Sequence, residues 1–520
     1  MLWAFVSKGR DMARDLTRVV GGVCLSLLLA SSALASTLIV GAKVVDGSGA
    51  PARAASVRID GQRIVAVGAL TPETDETVID AEGLVLAPGF IDAHSHHDRQ
   101  AERTPDMTAV TAQGVTTIVV GQDGESAYPL TTYFAALAKS PLAVNVASYT
   151  GHGTLRERAL GKDYKRPATV AEIARMQAEL AADLAAGSLG LSTGLEYDPG
   201  IYATPGEVMA LAKTAAAGHG RYISHLRSED VRLDEAIDEI IAIGREARLP
   251  VQISHLKIGI VDRWGQAPSI LAKLDAARAG GVDITADVYP YEYWQSNLSV
   301  LLPERNFQDL AAARFALSKL TTPEGLRLAV FAPDPSLVGK TVAEIAADRH
   351  ADPAETYLAL TRQSEAYRLA HPDVDRVDAV IGTAMTGADI DAFVAWDHAV
   401  ICSDGMTHGL HPRGFGAFAK ILRDDVRERH VLTLEQAVRK MTAQTAQQLG
   451  LADRGTIAPG AFADLVLFDP ETIADRANVR TPNAEAVGVS RVWVNGTLVF
   501  VSGRATGAHP GVAVRRAGGE

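Results

Sequence analysis

Eight short apolar segments, each closing on polar or chemically useful residues, recur along this chain of 520 residues. They occupy 89–98, 114–124, 143–153, 187–197, 222–229, 250–258, 283–291 and 399–405. Between most of them, at 169–186, 205–217 and 233–248 for example, apolar residues return at three- and four-residue spacing, which predicts helices. Strands that alternate with helices build parallel βα units. Eight such units predict an α/β fold, a closed (β/α)8 barrel, with its chemistry at the C-terminal ends of the strands. A doubly wound open sheet is the competing arrangement, but no glycine-rich phosphate loop opens the first unit.

Two stretches lie outside this count. Residues 36–87 and 453–516 alternate in strand fashion and contain Asp60-Gly61 and Asn495-Gly496, both suited to two-residue hairpin turns. Neither half buries a core by itself, so one small β-sandwich assembled from both chain ends is expected beside a barrel of 88–298 and 396–452. The stretch 299–395 is too long for one helix and reads as an insertion after strand seven. It carries helical patterns of its own at 342–347 and 353–362, and is expected to cover the barrel mouth as a lid.

Hydrophobic residues at 47% and charged residues at 22% fit an ordinary globular protein, and a net charge of −12 argues against a nucleic-acid or anionic-membrane partner. At the amino end, Lys8, Arg10, Arg14 and Arg18 precede an apolar run from 19 to 34 that closes on Ala33-Leu34-Ala35. That is the pattern of a secretory signal peptide over 1–35. The run is too short and too rich in Ser and Gly for a stable membrane anchor, which is the competing reading. Cys24 follows a valine too large for a lipoprotein site. After cleavage Cys402 alone remains, so no internal disulfide forms, and export with a single cysteine fits a bacterial periplasm. Oligomeric state is open.

The polar residues at the strand ends carry the chemistry. Strand one ends in His94-Ser95-His96, whose alternation with period two sends both imidazoles to one side. Strand two ends in Gly121-Gln122-Asp123-Gly124, strand five in Ser224-His225, strand six in Ser254-His255 and strand eight in Ser403-Asp404-Gly405. Four histidines and two carboxylates converge only if the barrel closes. If it does, His94, His96, Asp123, His225, His255 and Asp404 form a donor set suited to zinc or another divalent metal.

This order of donors resembles the amidohydrolase superfamily, and within it the D-aminoacylases, the N-acyl-D-amino-acid deacylases. The resemblance runs through 88–96, 113–121, Gly151-His152-Gly153-Thr154-Leu155-Arg156, Gly194-Leu195-Glu196-Tyr197, 224–229, Asp287-Val288-Tyr289-Pro290-Tyr291, Ser403-Asp404-Gly405 and 451–470, across roughly 37–516. It implies a β-sandwich with a metal barrel, one or two Zn2+ ions, and hydrolysis of the amide of N-acyl-D-amino acids. It also implies that His225 and His255 hold the tighter zinc, that His94 and His96 form a second position, and that Asp404 is the catalytic base. One departure stands out. Where the family usually has Asn-Cys-Gly, this chain has Gln122-Asp123-Gly124, replacing a soft thiolate with a hard carboxylate able to reach both metal positions.

A substrate with a free carboxylate calls for a cation, and Lys257, Arg413 and Arg227 are the candidates. His152 or another strand-end donor is expected to polarise the amide carbonyl, and Tyr289 to be partly core with reach to the substrate. Three readings compete with the deacylase. A cyclic amidase like hydantoinase or dihydroorotase usually needs a modified lysine on strand four, and Ser188-Leu189-Gly190-Leu191-Ser192-Thr193-Gly194 has none. A dipeptidase acting at a D-residue and a metal-binding protein without turnover remain open.

Overall fold

The computed structural model describes residues 36–302, 304–374 and 376–516; the expected signal peptide, 1–35, lies outside the described residues. The eight expected strands are present as Phe90–Asp92, Val115–Val120, Asn145–Ser148 (continued by Thr150–Gly151), Gly190–Gly194, Arg221–His225, Val251–Ile253, Ile284–Val288 and Ala399–Ile401. Each pairs in parallel with the next. Strand eight meets strand one just beyond their ends, where Asp404 N donates to His94 O and His96 N to Gly405 O, each at 2.8 Å. Asp92 binds strand one to strand eight more tightly, since its carboxylate accepts from the amide and hydroxyl of Ser403. The barrel is therefore closed. Its strands are buried at nearly every position, polar residues included, because helices cover one face and the packed interior covers the other.

The helices follow the predicted spacing. Val170–Ala185 starts at a capping box in which Thr169 and Glu172 satisfy each other's backbone amides. Leu233–Ala247 buries Leu233, Ala236, Ile237, Ile240, Ile241 and Gly244 on one stripe and stops at Arg248 in a left-handed conformation.

Both chain ends contribute to one nine-stranded sheet. Val85–Pro88 joins them, pairing with Thr37–Val44 on one side and antiparallel with Leu465–Phe468 on the other. The sheet curls on itself: Arg63–Gly68 returns to the approach of Leu465–Phe468, with Ile64 N bonded to Ala461 O and Ala463 N to Gln62 O. The curl encloses Ile39, Val57, Ile59, Ile64, Leu86, Leu465 and Trp493, so the expected two-ended sandwich is a single continuous sheet. Its two predicted turns touch. Gly496, at φ 75°, lies so close to Gly61 that any Cβ would fall 2.0 Å from the Gly61 carbonyl oxygen.

Between strands seven and eight the chain leaves the barrel for a small α+β excursion. Tyr293–Ser296, Arg327–Phe331 and Asp378–Thr383 form an antiparallel sheet, with the last strand in the centre. Leu298, Leu326, Phe331, Tyr357, Leu358 and Val380 give it a core of its own. Its first strand pairs before residue 299, and Gly387–Ala395 packs back against Ala267–Ala279 as an outer helix of the barrel. The excursion thus begins and ends earlier than the expected 299–395.

Candidate metal centre

The C-terminal ends of the strands surround a cavity of ≈ 600 Å³, walled on its outer side by Trp294, Val300, Leu301 and Phe307 of the excursion. A cavity of this size suits a small organic substrate. His96, Asp123, His225, His255 and Asp404 line its floor, and His94 lies fully buried just beneath.

Local backbone geometry aims these donors. Asp123, His255 and Asp404 have φ of 53°, 34° and 47°, left-handed values that non-glycine residues rarely adopt and that gather at functional sites. Asp123 is held in its turn by close backbone approach, since a side chain on Gly124 (φ 82°) would meet Gly194 N at 2.9 Å. Asp287 Oδ1 pins the bend at His255 by accepting from its amide at 2.7 Å.

Two donor groups result, and Asp123 belongs to both. In the first, His94 Nε2 is 3.4 Å from His96 Nε2, 3.5 Å from Asp123 Oδ2 and 3.7 Å from Asp404 Oδ1. His96 Nε2 is 3.3 Å from Asp123 Oδ2 and 3.4 Å from Asp404 Oδ1. In the second, His225 Nδ1 is 3.2 Å from His255 Nε2, which is 3.4 Å from Asp123 Oδ1. A tetrahedron with zinc–ligand bonds of about 2.0–2.1 Å has edges of roughly 3.3–3.4 Å, so these spacings fit a common cation. The first group offers four protein donors; the second offers three and leaves a position for water. Asp123 Oδ1 and His94 Nδ1 are buried without a hydrogen-bond partner, which is costly unless something else satisfies them.

The electrostatics demand positive charge at this point. Burial works against a proton on His96, but hydrogen bonds to Asp123 and Asp404 outweigh it and lift the ring to about 9. Burial and the charge of Lys257 oppose a proton on His255, yet Glu229 and Asp123 carry it up to about 10. Burial would raise the carboxyl of Asp404, but Arg413 and the surrounding imidazoles hold it well below the usual range. Protons or a cation balance this crowd of carboxylates, so metal binding would release protons.

Sequence reasoning missed three carboxylates. Glu196 Oε2 is 3.0 Å from His225 Nε2, Glu229 Oε1 is 3.1 Å from His255 Nδ1, and Asp287 Oδ1 is 3.6 Å from His94 Nδ1. Each faces the ring nitrogen opposite the one that points to the shared centre, the usual way a histidine ligand is oriented. Glu196, His225 and Glu229 also lie close enough to form a third donor group. The available signal was their position at or just beyond the ends of strands four, five and seven.

The expected substrate contacts divide. Lys257 reaches the cavity, with Nζ 2.7 and 2.8 Å from the two Glu229 oxygens and 2.6 Å from His255 Nδ1. Tyr289 lines the same wall, and its hydroxyl is buried without a partner. Arg413 also lines the cavity, but it pairs with Asp404 at 2.5 Å rather than standing free for a substrate. Two expectations are corrected. Arg227 turns outward to Glu239 at 2.8 Å and to Ala203 O at 3.0 Å. His152 is buried against Glu207 at 2.8 Å, beside the Arg156–Glu207 ion pair, and neither residue lines the cavity. Both lie at or past a strand end, where the chain no longer alternates.

The chain matches the amidohydrolase family over residues 77–414 and 411–500. It is 35% identical to the N-acyl-D-glutamate deacylase of Alcaligenes xylosoxydans xylosoxydans, over 92% of this chain and 96% of that protein. It is 35% identical to the D-aminoacylase of the same organism, over 92% of this chain and 97% of that one. Among solved structures it is similar to N-acyl-D-glutamate deacylase from Bordetella bronchiseptica, complexed with zinc and a phosphonate mimic of the tetrahedral intermediate. The TM-score is 0.81 at 35% identity, covering 92% of this chain and 99% of that one.

Proposed function

The chain belongs to the amidohydrolase family, and from that membership we propose that it is a metal-dependent deacylase of N-acyl-D-amino acids. It hydrolyses the amide bond and releases a free D-amino acid and a carboxylic acid. The observation that carries this reading is the pair of donor groups on the cavity floor, set at zinc-ligand spacing in a chain 35% identical, nearly end to end, to two such deacylases.

His225, His255 and Asp123 would hold one Zn2+ ion, and His94, His96, Asp123 and Asp404 a second; another divalent metal suits the same donors. When bound, zinc polarises a carbonyl and brings the pKa of a water ligand to about 7. Asp404 accepts the proton of the attacking water and then returns it to the departing amine. Arg413 keeps Asp404 ionised and oriented for that task by holding Oδ2. The Tyr289 hydroxyl, with no partner of its own, donates to the substrate where oxyanion charge develops. Lys257 lines the cavity while bonded to both Glu229 oxygens, and it is the cation that would be shared with the substrate's carboxylate. Trp294, Leu301 and Phe307 offer apolar surface to the acyl chain or side chain.

Export to a bacterial periplasm through the segment 1–35 is part of the proposal. It is supported by the basic residues, apolar run and Ala33-Leu34-Ala35. No helix among the described residues is long and apolar enough to cross a membrane. Amino-terminal sequencing of the mature protein tests cleavage after residue 35.

The activity is tested on a panel of N-acyl-D- and N-acyl-L-amino acids, with N-acyl-D-glutamate, N-acyl-D-aspartate and apolar N-acyl-D-amino acids included. Release of D-products alone is expected. Turnover of hydantoins or dihydroorotate in preference to the linear D-amides would overturn the reading.

A further inference from the structure

We propose that a second cavity, at the opposite end of the barrel from the metal centre, is a binding site for a free amino acid. It measures ≈ 680 Å³ and lies between the first residues of strands five to eight and two helices, Leu434–Met441 and Ala443–Leu449. Arg439 stands on the first helix, and Gln444 and Gln448 on the second. In barrels of this kind the chemistry sits at the other end, so a polar cavity here needs its own explanation.

Its wall holds acceptors that the chain itself does not satisfy. Gln444 is 5% exposed, and its Nε2 donates to Asp397 O at 2.7 Å and to Ala399 O at 2.9 Å. Gln448 Nε2 donates to His398 O at 3.2 Å. A carbonyl is met by the nitrogen of a carboxamide and not by its oxygen, so both side chains are fixed in orientation, each with Oε1 turned away from these carbonyls. Both Oε1 atoms are buried without a hydrogen-bond partner, and both residues line the cavity. A buried acceptor left unpaired is costly, so a donor belongs there.

The charges complete the pattern. Arg221 opens strand five, and its guanidinium donates to Gln447 O at 3.4 Å. Among the described residues no carboxylate lies within ion-pair distance of Arg221 or Arg439, whereas Arg278 on the same wall is matched by Asp283 at 3.2 Å. Asp397 also lines the cavity with no cation within that distance. The two arginines suit a carboxylate, and the carboxamide oxygens with Asp397 suit an ammonium group. A free amino acid carries both groups on one carbon. A simple carboxylate or a phosphate dianion brings the negative charge but no donor for Gln444 and Gln448. The proposed reaction releases a free amino acid at the other end of the same barrel, so this site would fill as product accumulates.

The test uses the full-length protein and D-alanine, with binding read by saturation-transfer difference NMR on the alanine methyl group. Saturable transfer is expected from wild type and from Lys257→Met, which is altered only in the catalytic cavity. Arg221→Met and Arg439→Met change a half-buried and an exposed side chain. On the Lys257→Met background each should weaken binding by about 10–100-fold, the loss of one hydrogen bond to a charged group. Acetate carries the carboxylate alone, and should displace alanine at least about tenfold less well than glycine does. No saturable transfer from wild type, transfer lost in Lys257→Met, or transfer unchanged by both arginine variants would overturn the site. Displacement by acetate as effective as by glycine would overturn its assignment to amino acids, and that arm needs no variant.

Discussion

Nη1 of Arg413 lies 2.5 Å from Oδ2 of Asp404, an ion pair whose side chains are 8% and 6% exposed. The same guanidinium sits 4.8 Å from the ring centre of Tyr289. One cation therefore orients both the proposed base and the proposed carbonyl donor, while Asp404 Oδ1 stays turned to the histidines. A buried pair of this kind gains little net stability, because desolvating two charges offsets most of their attraction. Its value lies in geometry.

Replacing Asp404 with Asn keeps the shape and removes the proton acceptor. The kcat should fall by about 10²–10⁴, the usual contribution of general acid–base catalysis, with substrate affinity changed little. Arg413→Lys keeps the charge but loses the planar reach to Asp404 and Tyr289, and should lower kcat by about 10-fold or more with a smaller change in KM. Steady-state kinetics on one N-acyl-D-amino acid check both variants; equal rates for wild type and Asp404→Asn would remove Asp404 from the chemistry.

Glu196 faces the outer nitrogen of His225 at 3.0 Å. Glu196→Gln should weaken zinc binding by about 10–100-fold, the range found when such orienting carboxylates are lost. The fully loaded variant should keep a rate within a few-fold of wild type. Competition against a chromogenic chelator measures the affinity, and an unchanged value would mean that Glu196 does not orient this ligand.

Arg227 is bound to Glu239 and to Ala203 O on the outside of the barrel, so Arg227→Met should leave kcat/KM within about twofold. The half-buried pair is worth about 1–2 kcal/mol, between the values for surface and buried ion pairs. Glu207→Ala, by contrast, strands Arg156 in the interior and should cost about 3–5 kcal/mol. Urea unfolding of both variants distinguishes the two environments.

Lys440 is buried beneath the barrel and donates to the carbonyls of Trp396 and Ala399. Burial lowers its amine from 10.5 to about 8. Between those values the unfolded chain binds more protons than the folded one, so stability rises with pH across that window, and the full cost is present below about 8. At about 1.36 kcal/mol per pKa unit, wild type should gain about 3 kcal/mol relative to Lys440→Met between pH 8 and 10.5. Denaturant unfolding at both ends of the window measures this; a difference independent of pH would contradict it.

The fold was legible because a parallel barrel is covered on both faces. Its strands therefore appear as short runs rich in apolar residues that stop near where the chemistry begins, and His94 and His96 keep the alternation of an extended chain just past strand one. Past strands three and five that rule lapses. Two-residue alternation would carry Arg227 to the same side as His225, yet it turns to Glu239 on the helix Leu233–Ala247. His152 begins the helix His152–Leu160 and faces Glu207 on the next helix but one. Glu196, Glu229 and Asp287 sit at or just past strand ends, but which ring nitrogen each one faces is set by tertiary placement and not by local spacing. The start of the excursion was hidden because Tyr293–Ser296 finds its partner, Asp378–Thr383, more than eighty residues away.

The most direct test follows metal content and D-amino acid release in the same samples: wild type, chelator-stripped wild type, the stripped protein reloaded with zinc, and His255→Ala. Release and bound metal should vanish together on stripping, return together on reloading, and stay low together in the variant. Full-rate release from the stripped protein, or from His255→Ala with its metal content intact, would contradict a hydrolytic centre built from these strand ends.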